Sequence, residues 1–312
     1  MIKIDNLGFS YGSQSVLDHI TMTLEEGRIY GLLGENGVGK TTLLTLLAGL
    51  KKPRTGAITT DGRTPYDREP SFLQDQYYLP DEVAPLNECA SRFAKVRGAF
   101  WPNYNHERFL EILKEFEVDP AQKMNKMSSG QLKKTYISFA LALGVKHLFL
   151  DEPTNGLDIP SKAQFRKAVT KYTAEDSVIV ISTHQVRDLE NIIDPIIILD
   201  RREVLVNATL EEISGKLYFD YGTELHPEAL YSEQLPGGFI QVLVNTTGEE
   251  SKVNIEAFFN AVHKNKELVK NLLKKYLDNL AVLLDGRSYH DALYLWLEQH
   301  AARGDGRGRA VI

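Results

Sequence analysis

The chain has 312 residues, enough for one large or two medium domains, and its 43% hydrophobic and 25% charged residues are typical of a folded globular protein. No apolar run approaches the roughly 20 residues of a membrane-spanning helix, and the N-terminal segment lacks the apolar core of a secretory leader. Cys89 is the single cysteine, so a disulfide framework is excluded and a cytosolic setting is expected. The formal net charge of −6 argues against nonspecific nucleic-acid binding as the main task.

A glycine-rich loop lies between a predicted buried strand at 28–33 and a predicted helix at 42–49. Its sequence, Gly-Glu-Asn-Gly-Val-Gly-Lys-Thr over 34–41, has the spacing of a phosphate-binding loop in the strand–loop–helix context that this chemistry needs. The glycines allow backbone N–H groups to face inward, and the helix N-terminus adds the positive end of its dipole. Lys40 can then reach the β- and γ-phosphate oxygens, and the Thr41 hydroxyl can ligate Mg²⁺.

The next segment carries two glutamines and then becomes mainly helical. Phe72-Leu73 is predicted as the end of a strand, which favours Gln74 over Gln76 as the polar group at a strand end. Residues of about 82–127 predict helices at 86–96 and 105–116.

Alternating strands and helices follow residue 127. The segment Met127-Ser128-Ser129-Gly130-Gln131, hereafter the signature segment, opens a helix whose N-terminal hydroxyl and N–H groups suit a phosphate. Strands are predicted at 146–150, 177–182 and 196–199, with a hairpin near 203–207. This alternation predicts an α/β fold with a mainly parallel sheet flanked by helices, and a ligand at the carboxyl ends of its strands.

An acidic pair, Asp151 and Glu152, directly follows the predicted strand at 146–150. Asp151 is expected to hold Mg²⁺ through water, and Glu152 is expected to orient and polarise an attacking water as a general base in phosphoryl transfer. Such a pair alone would more often be two solvated carboxylates. The Pro-Thr-Asn-Gly-Leu-Asp run that follows it, ending at Asp158, favours the functional interpretation. His184 follows a further buried-strand run.

These motifs, in this order, resemble those of the nucleotide-binding subunits of ATP-binding cassette (ABC) transporters. The match covers about residues 1–215, and its most specific part is the signature segment, where the family has Leu-Ser-Gly-Gly-Gln. Met127 and Ser129 depart from that pattern. Serine at position 129 would be strained by about 1 kcal/mol at a positive φ but is harmless in a helix, and the helical case is expected.

The resemblance implies a P-loop NTPase fold, ATP and Mg²⁺ as cofactors, and a role for each matching residue. Two chains would face each other head to tail, with each ATP between the phosphate loop of one and the signature segment of the other, and Asp158 would cross the interface. Tyr11 matches the aromatic that stacks on adenine, Gln74 matches a glutamine that contacts Mg²⁺, and His184 matches a histidine at the γ-phosphate. The predicted nucleotide-binding residues are Tyr11, Gly34, Asn36, Gly37, Gly39, Lys40, Thr41, Thr42, Ser128, Ser129, Gly130, Gln131 and Asp158. The predicted catalytic residues are Lys40, Gln74, Glu152 and His184, and the predicted metal ligands are Thr41, Gln74 and Asp151.

The resemblance also implies partners and a location. The expected protein is an ATPase that lies in the cytoplasm on the inner face of the membrane, pairs with a second ABC ATPase chain, preferably an identical one, and drives a separate transmembrane permease, with no nucleic acid involved. The aromatic and proline-containing stretch at 99–105 resembles a motif of antibiotic and multidrug exporters, although aromatic anchoring of a helix–helix turn explains it equally well. The alternative function is a soluble ABC-type ATPase acting on ribosomes or another macromolecular client. The single phosphate loop and the lack of a coiled-coil insert argue against it.

An ABC ATPase domain is therefore predicted at 1–215, with a helical subdomain at about 82–127, followed by an α+β accessory region at 216–312. The accessory region predicts a strand at 239–244, helices at 254–263, 266–284 and 287–300, and a disordered tail at about 304–312. The lysines of the helix at 266–284 fit either contact with an anionic membrane or a solvated face opposite a packed one, and the solvated face is favoured.

Overall fold

A computed structural model describes residues 1–273, so the predictions for the helix beyond residue 273, the helix at 287–300 and the tail lie outside the described residues. The strands are β1 (Ile2–Tyr11), β2 (Gln14–Leu24), β3 (Arg28–Leu33), β4 (Thr55–Thr60), β5 (Gln76–Leu79), β6 (His147–Asp151), β7 (Val178–Thr183), β8 (Ile196–Asp200), β9 (Glu203–Ala208), β10 (Leu217–Gly222), β11 (Tyr231–Leu235) and β12 (Gly238–Val244). The helices are α1 (Lys40–Leu47), α2 (Pro70–Gln74), α3 (Ala90–Gly98), α4 (His106–Glu115), α5 (Ser129–Ala142), α6 (Ile159–Tyr172), α7 (Leu210–Lys216), α8 (Ile255–Lys264) and α9 (Lys266–Leu273).

The central element is a six-stranded sheet with the order β5-β6-β7-β3-β8-β9, parallel except for β9 at one edge. The inner strands β6, β7 and β8 are buried along their whole length on both faces, as is typical of parallel strands covered on both sides. In β7, Val178 and Val180 face one core cluster, whereas Ile179 and Ile181 face the other, because successive side chains alternate across a strand. Each such fully buried side chain contributes about 1.5–3 kcal/mol. The predicted α/β fold is confirmed.

The two faces of the central sheet carry different layers. One face packs against α1 and the antiparallel sheet β2-β1-β4, which together form one core cluster. The other face packs against α5 and α6, and its core cluster continues through α3 and α4. Phe93 and Phe139 pack ring to ring, with centroids 5.0 Å apart, where α3 meets α5. The predicted helical segment thus shares one core with the sheet.

One predicted element is wrong. Phe72-Leu73 lies in the short helix α2 and not at the end of a strand, because Pro70 occupies the first turn of a helix, where its fixed φ is favourable. The strand starts only at Gln76. Both glutamines that the sequence offered therefore lie at or before the amino end of β5.

Residues after Lys216 form a third, antiparallel sheet with the order β10-β12-β11, to which α8 is packed, whereas α9 packs against α8, α7 and β9 of the central sheet. Its apolar residues, including Phe219 and Val242, belong to the same core cluster as the central sheet. Lys266 and Lys270 of α9 form ion pairs with Asp200 and Glu203 at the β8–β9 turn. These two lysines therefore attach α9 to the central sheet and are not free for a membrane surface. Within residues 1–273 no helix has the length and apolar character needed to cross a bilayer.

His147 is fully buried at the amino end of β6. Its Nε2 atom lies 3.5 Å from Asp61 Oδ2, and neither ring nitrogen has a hydrogen-bond partner among the described residues. Burial lowers the pKa of His147 to about 4, because desolvation disfavours the imidazolium more than Asp61 favours it. The folded protein keeps this ring neutral, whereas an unfolded histidine binds a proton near pH 6.5.

Acidification is therefore expected to destabilise the fold through His147. Between about pH 6.5 and pH 4 the unfolded chain binds a proton that the folded chain does not, so the free energy of unfolding falls as the pH is lowered. From pH 7 to pH 5 this loss is about 2 kcal/mol, at ~1.4 kcal/mol per pKa unit. Urea unfolding at both pH values should show that His147→Leu removes the loss, whereas His226→Leu, at an exposed histidine, retains it. An equal loss in the wild type and in His147→Leu would contradict this account.

Candidate nucleotide-binding site

The glycine-rich loop connects the carboxyl end of β3 to the N-terminus of α1, and its glycines are required by geometry. Gly37 and Gly39 have φ values of 85° and 113°, which side chains other than glycine rarely adopt. A Cβ atom on Gly34 would lie 2.5 Å from the Leu199 carbonyl oxygen. Lys40 is buried and folds back over the loop, where its Nζ donates to the carbonyl oxygens of Gly34 (2.7 Å) and Glu35 (3.1 Å).

Asp151 ends β6 directly opposite this loop and is held by three hydroxyl groups. Thr41 Oγ1 donates to Asp151 Oδ2 at 2.7 Å, and Tyr78 Oη donates to the same oxygen at 3.1 Å. Ser182 Oγ of β7 donates to Oδ1 at 2.5 Å. A carboxylate beside an exposed threonine hydroxyl is the all-oxygen donor set that Mg²⁺ prefers, so these residues fit the ion.

Glu152, the residue after Asp151, has a left-handed backbone conformation with a φ of 44°. Two hydrogen bonds fix this conformation. Its N–H donates to Ser182 O (3.2 Å) and Ser182 Oγ (3.0 Å). Such a conformation costs about 1–3 kcal/mol and persists where the surroundings determine it, as at active sites. The side chain is thereby aimed at the space above the loop, where Oε2 lies 2.9 Å from His184 Nδ1 and Oε1 lies 3.5 Å from Lys40 Nζ.

The charged groups of Lys40, Asp151 and Glu152 lie close together and are poorly solvated. Burial lowers the pKa of Lys40, although Glu152 and Asp151 act in the opposite direction. Glu152 Oε1 is buried and accepts no hydrogen bond among the described residues. One ammonium against two carboxylates leaves a net negative site, which a divalent cation would neutralise. The arrangement is suited to holding a metal–phosphate group between Lys40 and Asp151, with a carboxylate free to accept a proton.

Tyr11 stands at the end of β1, beside the start of α1. Its ring packs edge-on against Phe9 with centroids 5.0 Å apart, and its hydroxyl lies 3.3 Å from Thr42 Oγ1. The side chain remains 48% exposed, so part of the ring is open to a stacking partner. Asn36 is likewise exposed on the loop.

The signature segment forms the N-terminus of α5 on the surface of the molecule. Ser128 is the N-cap, and it exchanges hydrogen bonds with Gln131 in a capping box: Gln131 N donates to Ser128 Oγ, and Ser128 N donates to Gln131 Oε1. Ser129 is the first helical residue, so the expectation that serine is harmless there is confirmed. A Cβ atom on Gly130 would lie 3.6 Å from Gly156 O, which places the signature segment against the loop that leads to Asp158. Asp158 is exposed and caps α6 by accepting from Ser161 N at 2.9 Å.

Comparison with known proteins identifies the family. The family model described as ABC transporter matches residues 17–155. An uncharacterised ABC transporter ATP-binding protein of Methanocaldococcus jannaschii is 30% identical over 236 residues, which cover 74% of this chain and 88% of that protein. The bacitracin transport ATP-binding protein BcrA of Bacillus licheniformis is 32% identical over 222 residues, covering 69% of this chain and 72% of the relative. The chain belongs to the ABC transporter ATP-binding proteins.

Solved structures agree with this assignment. The structure of an ATP-binding subunit of an ABC transporter superposes with a TM-score of 0.63 at 25% identity, covering 68% of this chain and 91% of that one. The dimeric structure of a bacterial ABC transporter cassette has the same fold, with a TM-score of 0.58 at 24% identity over 67% of this chain and 99% of that one. The protein is therefore an ABC ATPase that binds and hydrolyses ATP, as the sequence predicted.

The structure corrects the prediction for Gln74 in this ABC ATPase. β5 runs parallel to β6, with Gln76 opposite His147 and Leu79 opposite Leu150. The carboxyl end of β5 therefore lies beside Asp151, whereas Gln74 precedes the strand and is exposed at the other end. Asp75 and the four extended residues of β5, at roughly 3.3 Å each, separate Gln74 from that end. Gln74 thus does not join the other predicted metal and catalytic residues.

Three residues that the sequence analysis did not assign to the site lie at the carboxyl ends of the strands, near Asp151, in this ABC ATPase. Tyr78 and Ser182 hold Asp151, and Asp81 follows β5. Asp81 pairs with the buried Lys133 of α5 at 3.1 Å and accepts from Asn155 Nδ2 at 3.3 Å. The sequence signal was the short run Tyr78-Leu79-Pro80-Asp81, in which a strand ends at a proline and an acidic residue before the helical segment begins.

Proposed function

We propose that this ABC ATPase is the motor subunit of an exporter whose permease is a separate chain. The observation that carries the proposal is the convergence of Lys40, Asp151 and Glu152 above one phosphate loop, in the same chain as an exposed signature segment and an exposed Asp158. The first group suits the cleavage of a bound nucleotide, and the exposed segments suit a second copy. Export is supported by the resemblance of the stretch 99–105 and by relatives named for bacitracin and lantibiotic transport.

In this proposal ATP binds with its phosphates on the N–H groups of the loop and its adenine on Tyr11. Lys40 contacts the β- and γ-phosphates, and Thr41 and Asp151 hold Mg²⁺, which neutralises phosphate charge when bound. Glu152 accepts the proton of the attacking water, and His184 orients Glu152 through the 2.9 Å contact. Two identical chains close on two ATP molecules, with the partner's signature segment completing each site. Nucleic acid has no role in this cycle.

The proposed docking site for a permease is an aromatic groove on the surface of the protein. The groove has a volume of about 460 Å³ and lies between the central sheet and the helical segment. Eleven residues line it, and the large apolar and aromatic ones among them are Leu50, Leu73, Tyr77, Tyr78, Phe100 and Trp101.

The stretch 99–105 serves two purposes at this groove. Trp101 anchors the turn by packing on Tyr77 and Phe139 and by donating from Nε1 to Gln76 O at 3.1 Å. Phe100 is 71% exposed, and exposed aromatic side chains at concave apolar sites are typical anchors for partner proteins. A cytoplasmic helix of the permease is the proposed occupant, which places the ATPase on the inner face of the membrane. In this scheme residues 1–215 form the motor, with its helical subdomain at about 82–127, and residues 216–312 form an accessory region.

The test is a tagged pull-down from detergent-solubilised membranes of the native host, with mass spectrometry of bound proteins. A stoichiometric multi-span protein is expected, and its recovery should fall at least about 10-fold with Phe100→Ser, the effect of an aromatic hot spot. Val96→Ser is the matched control, because Val96 is 55% exposed but lies outside the groove lining. Recovery of ribosomal proteins alone would overturn the transporter role in favour of a macromolecular client.

A further inference from the structure

Tyr78 is in contact with both the aromatic groove and the nucleotide site. Tyr78 is one of the residues that line the groove, and its hydroxyl donates to Asp151 Oδ2 at 3.1 Å. β5 is an edge strand of the central sheet, and Tyr78 is paired in register with Phe149, two residues before Asp151. A single residue therefore borders the groove and also reaches the carboxylate that is proposed to bind Mg²⁺.

The hydroxyl of Tyr78 is a constant donor. An ordinary phenol keeps its proton at neutral pH, so the Tyr78 hydroxyl can donate to the Asp151 carboxylate. The same Asp151 oxygen also accepts from Thr41 Oγ1 at 2.7 Å. If Thr41 turns its oxygen to Mg²⁺, Tyr78 remains as the donor that fixes Oδ2, while Ser182 fixes Oδ1.

We propose that Tyr78 is a positioning residue for Asp151. Through this contact it links occupancy of the aromatic groove to the position of the Asp151 carboxylate at the proposed Mg²⁺ site. The proposal rests on the functional assignments of Asp151 and the groove given above. Because a tyrosine ring is rigid beyond its two side-chain torsions, displacement of the groove wall moves the hydroxyl and with it the carboxylate. The reverse also holds, since coupling between two sites is reciprocal.

The first test measures nucleotide binding without turnover. ATP affinity of the wild type and of Tyr78→Phe is compared by equilibrium dialysis, with Mg²⁺ and with EDTA in its place. The gain in affinity due to Mg²⁺ is expected to fall about 2- to 10-fold in Tyr78→Phe, the range for one hydrogen bond, while affinity in EDTA is unchanged. Tyr77→Phe is the matched control, because it removes the same hydroxyl from the neighbouring residue, whose ring packs on Trp101 and Phe139.

The second test measures a change within the groove through tryptophan fluorescence. The chain has two tryptophans, Trp101 and Trp296, so Trp296→Phe leaves Trp101 as the fluorescent reporter within the groove. In that background MgATP is expected to change the Trp101 emission, and Tyr78→Phe is expected to reduce the change at saturating nucleotide. Tyr77→Phe should retain a MgATP-dependent change.

The outcomes separate this inference from the site assignment. If Lys40→Ala lowers ATP affinity but Tyr78→Phe equals Tyr77→Phe in both tests, the site stands and the role of Tyr78 is overturned. If Lys40→Ala binds MgATP like the wild type, the site assignment itself fails. A loss of affinity in Tyr78→Phe that is equal with Mg²⁺ and with EDTA would indicate a general structural effect and would also overturn the positioning role.

Discussion

Glu152→Gln is expected to lower the rate of ATP hydrolysis by about 100- to 10,000-fold, the contribution of a positioned general base. The amide cannot accept a proton from the attacking water. The substitution preserves the length and shape of the side chain and keeps an oxygen that His184 can contact. The backbone hydrogen bonds to Ser182 do not involve the side chain, so the strained turn at position 152 is retained.

Nucleotide binding is expected to survive the same substitution. In the free chain the Glu152 carboxylate lies 3.5 Å from Lys40 Nζ and so competes with a phosphate for that ammonium group. Removal of the negative charge leaves Lys40 available to the γ-phosphate. Uncleaved ATP should then hold two chains together, and Glu152→Gln should elute as a dimer with ATP.

Phosphate release and light scattering in the presence of MgATP measure both effects. Glu107→Gln makes the same chemical change at an exposed carboxylate at the start of α4, and it should behave as the wild type in both measurements. Hydrolysis at the wild-type rate by Glu152→Gln would remove Glu152 from the role of base.

The structure brings together those predicted site residues whose positions depend on local geometry or on the carboxyl ends of neighbouring parallel strands. The phosphate loop lies between a strand and a helix in one continuous segment, so its glycines, Lys40 and Thr41 are positioned by neighbouring residues. Asp151 and His184 each follow a strand of the central sheet, and parallel strands bring their carboxyl ends to one edge. The structure accordingly brings Lys40, Glu152 and His184 together.

The prediction for Gln74 failed because it depended on where a short strand ends. Apolar pairs such as Phe72-Leu73 fit a buried helix turn as well as a strand, and periodicity cannot distinguish them over so few residues. Only the register of β5 against β6 shows that Tyr78 and Asp81 occupy the carboxyl end. The hydrogen bond from Tyr78 to Asp151 spans 73 positions along the chain, and no local pattern predicts it. The strands β10 and β11 were also missed; both are short outer strands, and no residue of β11 is fully buried.

Lys40→Ala is expected to weaken ATP binding roughly 10- to 150-fold, since a hydrogen bond to a charged group contributes about 1.5–3 kcal/mol. The ammonium group is already desolvated in the free chain, with its side chain only 6% exposed, so contact with a phosphate requires little further dehydration. Alanine also removes the donor that ties the loop to itself through Gly34 O and Glu35 O. Both effects weaken binding in the same direction.

Equilibrium dialysis with ATP and EDTA isolates the contribution of the lysine–phosphate contact to ATP binding, because the chelator removes any contribution from Mg²⁺. Lys52→Ala is the matched control, since it removes the same charge from an exposed position after the far end of α1. Thermal unfolding of both variants without nucleotide separates loop stability from binding. In Lys40→Ala the buried Glu152 carboxylate loses its cationic neighbour, and an unpaired buried charge is costly. The double variant Lys40→Ala, Glu152→Gln should therefore recover thermal stability but not ATP affinity. If ATP affinity were also recovered, Lys40 would act on Glu152 and not on the phosphates.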